Sequence, residues 1–201
     1  RAALLNMRGK VLALSEHSVE EDYEQMLLQI KRQVEELMQY AAGRFLGVGV
    51  GLPGFIDCEN GLVRSSSRKG WAGKRLAEDL QGLLNVPVII DNNVRIRAMG
   101  YELSLQEYKA GTFAYFFVSK GVACPIMVQD EIISGNTFGA GELGRTIIYT
   151  GKTGEDACKS VDDLASERAI FERCQEKLLE GGADGLRKIL DEEGRMEFED
   201  I

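Results

Sequence analysis

VPVIIDNNVRIRAMGYE, residues Val86 to Glu102, is the stretch from which the fold of this 201-residue chain is read. Val86 to Ile90 is an apolar, β-branched run interrupted only by Pro87, the pattern of a short strand buried on both faces. It gives way to Asp91-Asn92-Asn93, and a helical pattern follows in Val94, Ile96, Ala98 and Met99. In open α/β sheets ligands sit in the crevice beyond the carboxyl ends of the strands, so this strand-to-helix junction is a candidate binding floor. The competing assignment makes Asp91 or Asn92 simply the N-cap of the helix.

Working upstream, Phe45 to Leu52 (FLGVGVGL) reads as a buried strand with glycines at alternate positions, which lets a backbone or a ligand approach closely. Pro53-Gly54 turns the chain, and Ile56 to Val63 forms a hairpin with Glu59-Asn60-Gly61 at its tip. The polar run Ser65 to Lys69 leads through Gly70-Trp71 to a helix carrying Leu76, Leu80, Leu83 and Leu84, closed by Asn85. Strand, helix and strand in this order predict a βαβ unit with parallel strands. Earlier still, Ala2 to Leu14 predicts a hairpin turning at Met7-Arg8-Gly9. Ser18-Val19-Glu20-Glu21 has the S-x-x-E form of a capping box, and a long amphipathic helix follows. Its core face is Tyr23, Met26, Leu27, Ile30, Val34, Leu37, Met38 and Ala41, with Gly43 as its stop.

Downstream, Thr112 to Val118 and Val122 to Val128 are strand candidates, followed by a turn at Asp130-Glu131 and by Ile132-Ile133. The glycine-rich segment GNTFGAGELG spans Gly135 to Gly144. Ile147 to Tyr149 is a short strand, Thr150 to Lys159 reads as polar loop, and the chain from about Val161 is helical and charged. No internal repeat or low-complexity segment is present.

Apolar residues make up 44% of the chain and charged residues 28%, ordinary values for a globular domain with a core. The net charge of −8, without a large lysine or arginine cluster, argues against this segment gripping nucleic acid by itself. Cys58, Cys124, Cys158 and Cys174 are widely spaced, with no C-x-x-C pair, and read as reduced thiols of a cytoplasmic protein. Neither a leader nor an apolar run near membrane-spanning length is visible. The chain opens at Arg1 directly in a strand-like run, as a piece of a longer protein would.

Histidine catalysis is nearly excluded, because the single histidine, His17, lies in a polar turn. At the junction the available carboxylate is Asp91, flanked by Asn92 and Asn93, whose amides donate and accept hydrogen bonds but are not bases. That set suits a hydroxyl-rich ligand better than proton transfer. Glu142 lies among glycines, either aimed at a ligand by a tight backbone or exposed on a surface loop. No glycine-rich loop has a phosphate-cradle or Walker form.

In order and spacing, these segments resemble the ROK family of bacterial sugar kinases and sugar-responsive transcriptional repressors. VGVGLPGFID (Val48 to Asp57) with the following SSRKGW is similar to that family's strand-turn and its PNLxGW segment. VPVIIDNNVRIRAMGYE resembles NDxNAAxxGE, ISGNTFGAGELGR resembles GxxGxAGEIGH, and VDDLAS (Val161 to Ser166) resembles CLExxAS. The resemblance covers nearly the whole chain. It implies an α/β, actin-like ATPase or sugar-kinase (ribonuclease H-like) fold truncated at both ends. Residues 1–108 would form the small lobe, without its first strand, and 109–201 the start of the large lobe, without its C-terminal helices. A first strand with a DxGGT-like phosphate loop, and in a repressor a DNA-binding helix-turn-helix, would lie upstream.

Departures from the family's motifs carry the functional expectation. Its catalytic aspartate corresponds to Asn93, and its second nucleotide loop to Ser119 to Pro125, where most glycines are gone. Its zinc ligands correspond to Arg145, Thr153, Glu155 and Ser160, so no metal is expected. Arg145 is expected to fill that space by pairing with Asp156 or Asp162. Of the sugar-contacting positions, Asn92 and Glu142 match, Asp162 shortens a glutamate, Ser67 replaces an asparagine and Arg145 a histidine. The resemblance therefore implies the effector and dimerisation domain of a sugar-responsive regulator, without kinase activity or cofactor. Its partners would be a sugar or sugar phosphate, a second copy of the chain, and DNA through a separate upstream head. An active hexose kinase and a degenerate domain that only dimerises are the alternatives.

Overall fold

The computed structural model describes residues 1–18, 20–66, 68–104, 111–181 and 185, and not the side chains of Glu155 and Asp156. The expected LRKIL helix and the tail after it lie outside the described residues, as does Ser67. Two compact units are present. The first comprises Arg1–Arg97 with Asn136–Phe138; the second comprises Ala98–Gly135 and the described residues from Gly139 on.

In the first unit, β1 (Ala2–Leu5) and β2 (Val11–Ser15) form the expected antiparallel hairpin. Helix α1 (Tyr23–Met38) buries Tyr23, Met26, Leu27, Val34 and Leu37, the spacing of a single core face. Its N-cap is Asp22, whose carboxylate accepts from the Gln25 amide at 3.0 Å, and not the expected Ser18 box. Asp22 sits immediately before the first buried apolar residue, so it satisfies a first-turn N–H that Ser18, four residues upstream, does not reach. The helix ends at Gln39, ahead of Gly43, and leaves Met38 exposed.

Strand β3 (Val48–Leu52) and strand β6 (Val88–Asn92) pair in parallel, Val48 opposite Val88 and Leu52 opposite Asn92. Between them come the hairpin of β4 (Phe55–Asp57) and β5 (Leu62–Ser65) and helix α2 (Leu76–Leu84). Asn85 closes α2 in a left-handed conformation, φ 54°. The core gathers Leu52, Ile56, Val63, Trp71, Leu76, Leu80, Val88 and Ile90 with the inner face of α1. Trp71 ties these layers together: its indole N–H donates to the Glu21 carbonyl at 3.2 Å, and its ring meets Tyr23 edge-on. The expectation that β6 is buried on both faces is corrected. Val88, Ile90 and Asn92 are inside, but Ile89 is 72% exposed, so the run is a one-faced strand. An unbroken β-branched run does not reveal which face is covered.

Helix α3 (Asn93–Ser104) begins at the end of β6 and passes from the first unit into the second. The second unit's strands are shorter than the sequence suggests. β7 (Thr112–Ala114) pairs with β10 (Ile126–Val128), which also pairs with β11 (Glu131–Ile132). β8 (Phe117–Val118) pairs with β9 (Val122–Ala123). The β10–β11 turn is Gln129-Asp130, both at positive φ, one residue earlier than expected. β12 (Ile147–Tyr149) pairs with β13 (Cys158–Ser160), and α4 (Val161–Ala165) and α5 (Glu167–Leu179) follow. Residues expected as loop thus include a 3-10 turn at Gly154–Ala157 and a strand. No helix among the described residues is long and apolar enough to cross a membrane.

Candidate functional site

The carboxyl ends of β3 and β6 lie side by side because the strands are parallel and in register. Gly51 brings the first turn of α3 close: a β-carbon there would stand 3.1 Å from Ile96 and 3.4 Å from the Asn93 backbone. The alternating glycines expected to permit close approach thus make room for the chain's own helix.

Asn92 is buried and serves as the helix cap. Its side-chain oxygen accepts from the amides of Val94 at 2.8 Å and Arg95 at 3.2 Å. Its amide group donates to the Gly54 carbonyl at 3.0 Å, holding the Pro53-Gly54 turn at the strand ends. Of the two assignments raised by the sequence, the N-cap is the one these hydrogen bonds show. Asn93, half-buried, is the first residue of α3. Asp91 accepts from the Asn92 amide at 2.6 Å and pairs with the buried Arg95 one turn on, Nε to Oδ1 3.2 Å. Burial pushes the Asp91 carboxyl above its ordinary value, against the opposing pull of the Asn92 amide and the Arg95 guanidinium. Sequence reasoning did not name Arg95; its signal is the Asp-x-x-x-Arg spacing, which here joins the end of β6 to the first turn of α3.

The second unit gathers Glu142, Arg145 and Asp162. A 3-10 turn, Leu143–Arg145, follows Glu142, and the Arg145 Nε lies 3.7 Å from the Glu142 carboxylate. That ion pair is with a residue the sequence expectation for Arg145 did not include. Burial raises the Glu142 pKa, the Arg145 charge opposes the rise and Asp162 adds to it. Asp162, in the first turn of α4, accepts from the Val122 amide at 2.7 Å. Its carboxylate lies against Gly144, where a β-carbon would overlap it, and 3.3 Å from the equivalent position on Gly121. Shortened by one methylene, it ties α4 to β9 and to the turn after Glu142.

Two of the positions matched to zinc ligands are otherwise occupied or charged. Arg145 is a cation, and the Ser160 hydroxyl is engaged with Asp163 in a capping box that starts α4. The hairpin bearing these positions is held by backbone ladders, Ile147 opposite Ser160 and Tyr149 opposite Cys158. Among the described residues no group of three His, Cys, Asp or Glu side chains is disposed to hold a metal ion.

The sequence profile of the ROK family matches residues 1–195. The chain belongs to the ROK family. It is 29% identical over 160 residues to a xylose repressor of Caldicellulosiruptor bescii, an alignment covering 77% of this chain and 39% of the repressor. A crystal structure of a ROK family transcriptional regulator, a homolog of the E. coli MLC protein, superposes with a TM-score of 0.75 at 23% identity. That match covers 90% of this chain and 47% of the regulator. The ROK glucokinase of Streptomyces griseus, in complex with glucose and AMPPNP, superposes with a TM-score of 0.72 at 16% identity, over 87% of this chain and 56% of the kinase. The fold is therefore the actin-like sugar-kinase fold of ROK proteins, and this chain spans roughly half the length of these relatives or less.

Proposed function

We propose that this chain is the effector-binding and dimerisation portion of a sugar-responsive ROK regulator that recognises a sugar or sugar phosphate without phosphorylating it. The observation that carries this is Asn93. It opens α3 at the carboxyl end of β6, where the family's motif has an aspartate that takes the sugar hydroxyl proton. A carboxamide accepts a hydrogen bond but not the proton, a loss that typically costs ~10²–10⁴-fold in rate. Recognition needs less. Within the second unit Glu142 offers a half-buried acceptor and Arg145 a donor, groups suited to hydroxyls. A ligand that favours one arrangement of the full-length regulator shifts its population, and so the spacing of DNA-binding heads supplied elsewhere in the protein.

Kinase activity is the second reading, and one feature favours it. A cleft of about 460 Å³ in the second unit is lined by Lys120, Glu167, Arg168 and Phe171, beside the segment matched to the second nucleotide loop. Its two cations suit phosphate, but only Gly121 remains of the loop's glycines between Ser119 and Pro125. Thermal-shift titration of the full-length protein with D-xylose, D-glucose and their phosphates tests the first reading: one of them raises the unfolding midpoint. No shift with any of them leaves a domain that only dimerises.

A further inference from the structure

Phe138 has a backbone that its side chain disfavours. Its φ is +58°, a left-handed conformation that costs any residue with a β-carbon and persists only where the surroundings impose it. The family motif that this segment resembles, GxxGxAGEIGH, has glycine at this fourth position; this chain has an aromatic ring. The ring is 9% exposed, and the Arg64 guanidinium lies over it, 5.7 Å from the centroid. Arg64 is itself held by the fully buried Asp57, which accepts from its Nε at 3.1 Å and from a terminal nitrogen at 2.5 Å. Asp57 is fixed in turn by the amide and side chain of Asn60. A chain of contacts thus runs from the β4–β5 hairpin to the tip of the glycine-rich loop. Asn136–Phe138 belongs to the first unit, while the glycines on either side, Gly135 and Gly139, belong to the second.

Backbone hydrogen bonds hold the rest of the loop. Ala140 donates to the Ser134 carbonyl at 3.1 Å, closing its base. Cys124 donates to the Gly141 carbonyl at 2.6 Å, where φ is +86° and a β-carbon would press on Pro125. Glu142 follows directly, its amide on the Gly139 carbonyl at 3.3 Å. Phe138 is the one side chain of the tip that is buried among these ties.

We propose that Phe138 is a positioning residue: clamped under Arg64, it fixes the loop tip and thereby aims the Glu142 carboxylate at a sugar hydroxyl. The proposal rests on the sugar-binding reading above. Two variants of the full-length protein separate its parts. Phe138→Gly removes both the strain and the anchor, whereas Phe138→Leu keeps a bulky apolar group at the same backbone angle. Hydrogen exchange of the 139–145 amides and affinity for D-xylose and D-glucose are read together.

Phe138→Gly is expected to speed exchange in that segment at least about tenfold and to weaken sugar binding by about the same factor, with protection of α1 and α2 unchanged. Phe138→Leu is expected to hold both within about threefold of wild type. Wild-type exchange and affinity in Phe138→Gly overturn the proposal, as does faster exchange throughout the first unit, which marks a purely structural role. A wild-type protein that binds neither sugar overturns the sugar reading instead, and the exchange arm still decides whether Phe138 anchors the loop.

Discussion

Asn92 and Gly54 are joined by a hydrogen bond of 3.0 Å from the asparagine amide to the glycine carbonyl, across the ends of the two parallel strands. The same side chain caps α3, so one residue fixes the turn after β3 and the start of the helix after β6. Asn92→Ala removes the cap and leaves the Gly54 carbonyl without this donor. Urea denaturation is expected to show a loss of roughly 2–3 kcal/mol. Asn92→Ser keeps a cap oxygen but does not span to Gly54, and loses about half as much.

Asp57 predicts an acid limb. Burial raises its pKa, but hydrogen bonds from Asn60 and Arg64 with the Arg64 charge outweigh that and hold it below the ordinary 3.8. A carboxyl whose folded pKa is depressed stabilises fully above the unfolded value and loses that contribution as pH falls through the folded one. Melting temperatures of wild type and Asp57→Asn are expected to differ from pH 7 down to about 4 and to converge below it. Parallel curves to the lowest pH contradict the assignment.

Glu142 shows the opposite sign. Its folded pKa is raised above 4.5, chiefly by burial, so its ionisation opposes folding, and stability is lost as pH rises through the folded value. Glu142→Gln is expected to raise the melting temperature at pH 7 and to leave it unchanged near pH 3, while abolishing sugar binding. A stabilised variant that binds as before shows that Glu142 is not a ligand contact.

Gly144 and Asp162 share one space. Gly144→Ala drives a methyl group into the carboxylate and is expected to cost more than about 2 kcal/mol. Asp162→Ala loses the Val122 hydrogen bond, about 1 kcal/mol. Because Asp162→Ala vacates the space, the double variant is expected to be more stable than the sum of the singles implies, by at least about 1 kcal/mol. Additivity contradicts the contact.

The first unit was the more legible in sequence because its signals are long and local. Tyr23 to Leu37 carries one periodic stripe, and Leu76, Leu80 and Asn85 mark a helix and its stop. The second unit resisted because its strands are two or three residues long, too short for periodicity. Cys158–Ser160 is polar enough to pass for loop, and backbone pairing with Ile147–Tyr149 is what makes it a strand. At the site, residue types showed Asn93 and Glu142, and the junction's geometry followed from strand order. Three relationships depend on contacts far apart in the chain and left no sequence mark. These are Gly54 beneath Asn92, the Asp162 carboxylate filling the place of a Gly144 side chain, and Arg64 over Phe138.

The claim that Asn93 leaves recognition without chemistry is tested most directly by phosphoryl transfer. The full-length protein is incubated with radiolabelled ATP, magnesium and D-glucose or D-xylose, and sugar phosphate is resolved from ATP. No product above the protein-free control is predicted for either sugar. Sugar phosphate that forms with the wild-type protein and disappears with Asn93→Ala would contradict the account and make this chain part of an active kinase.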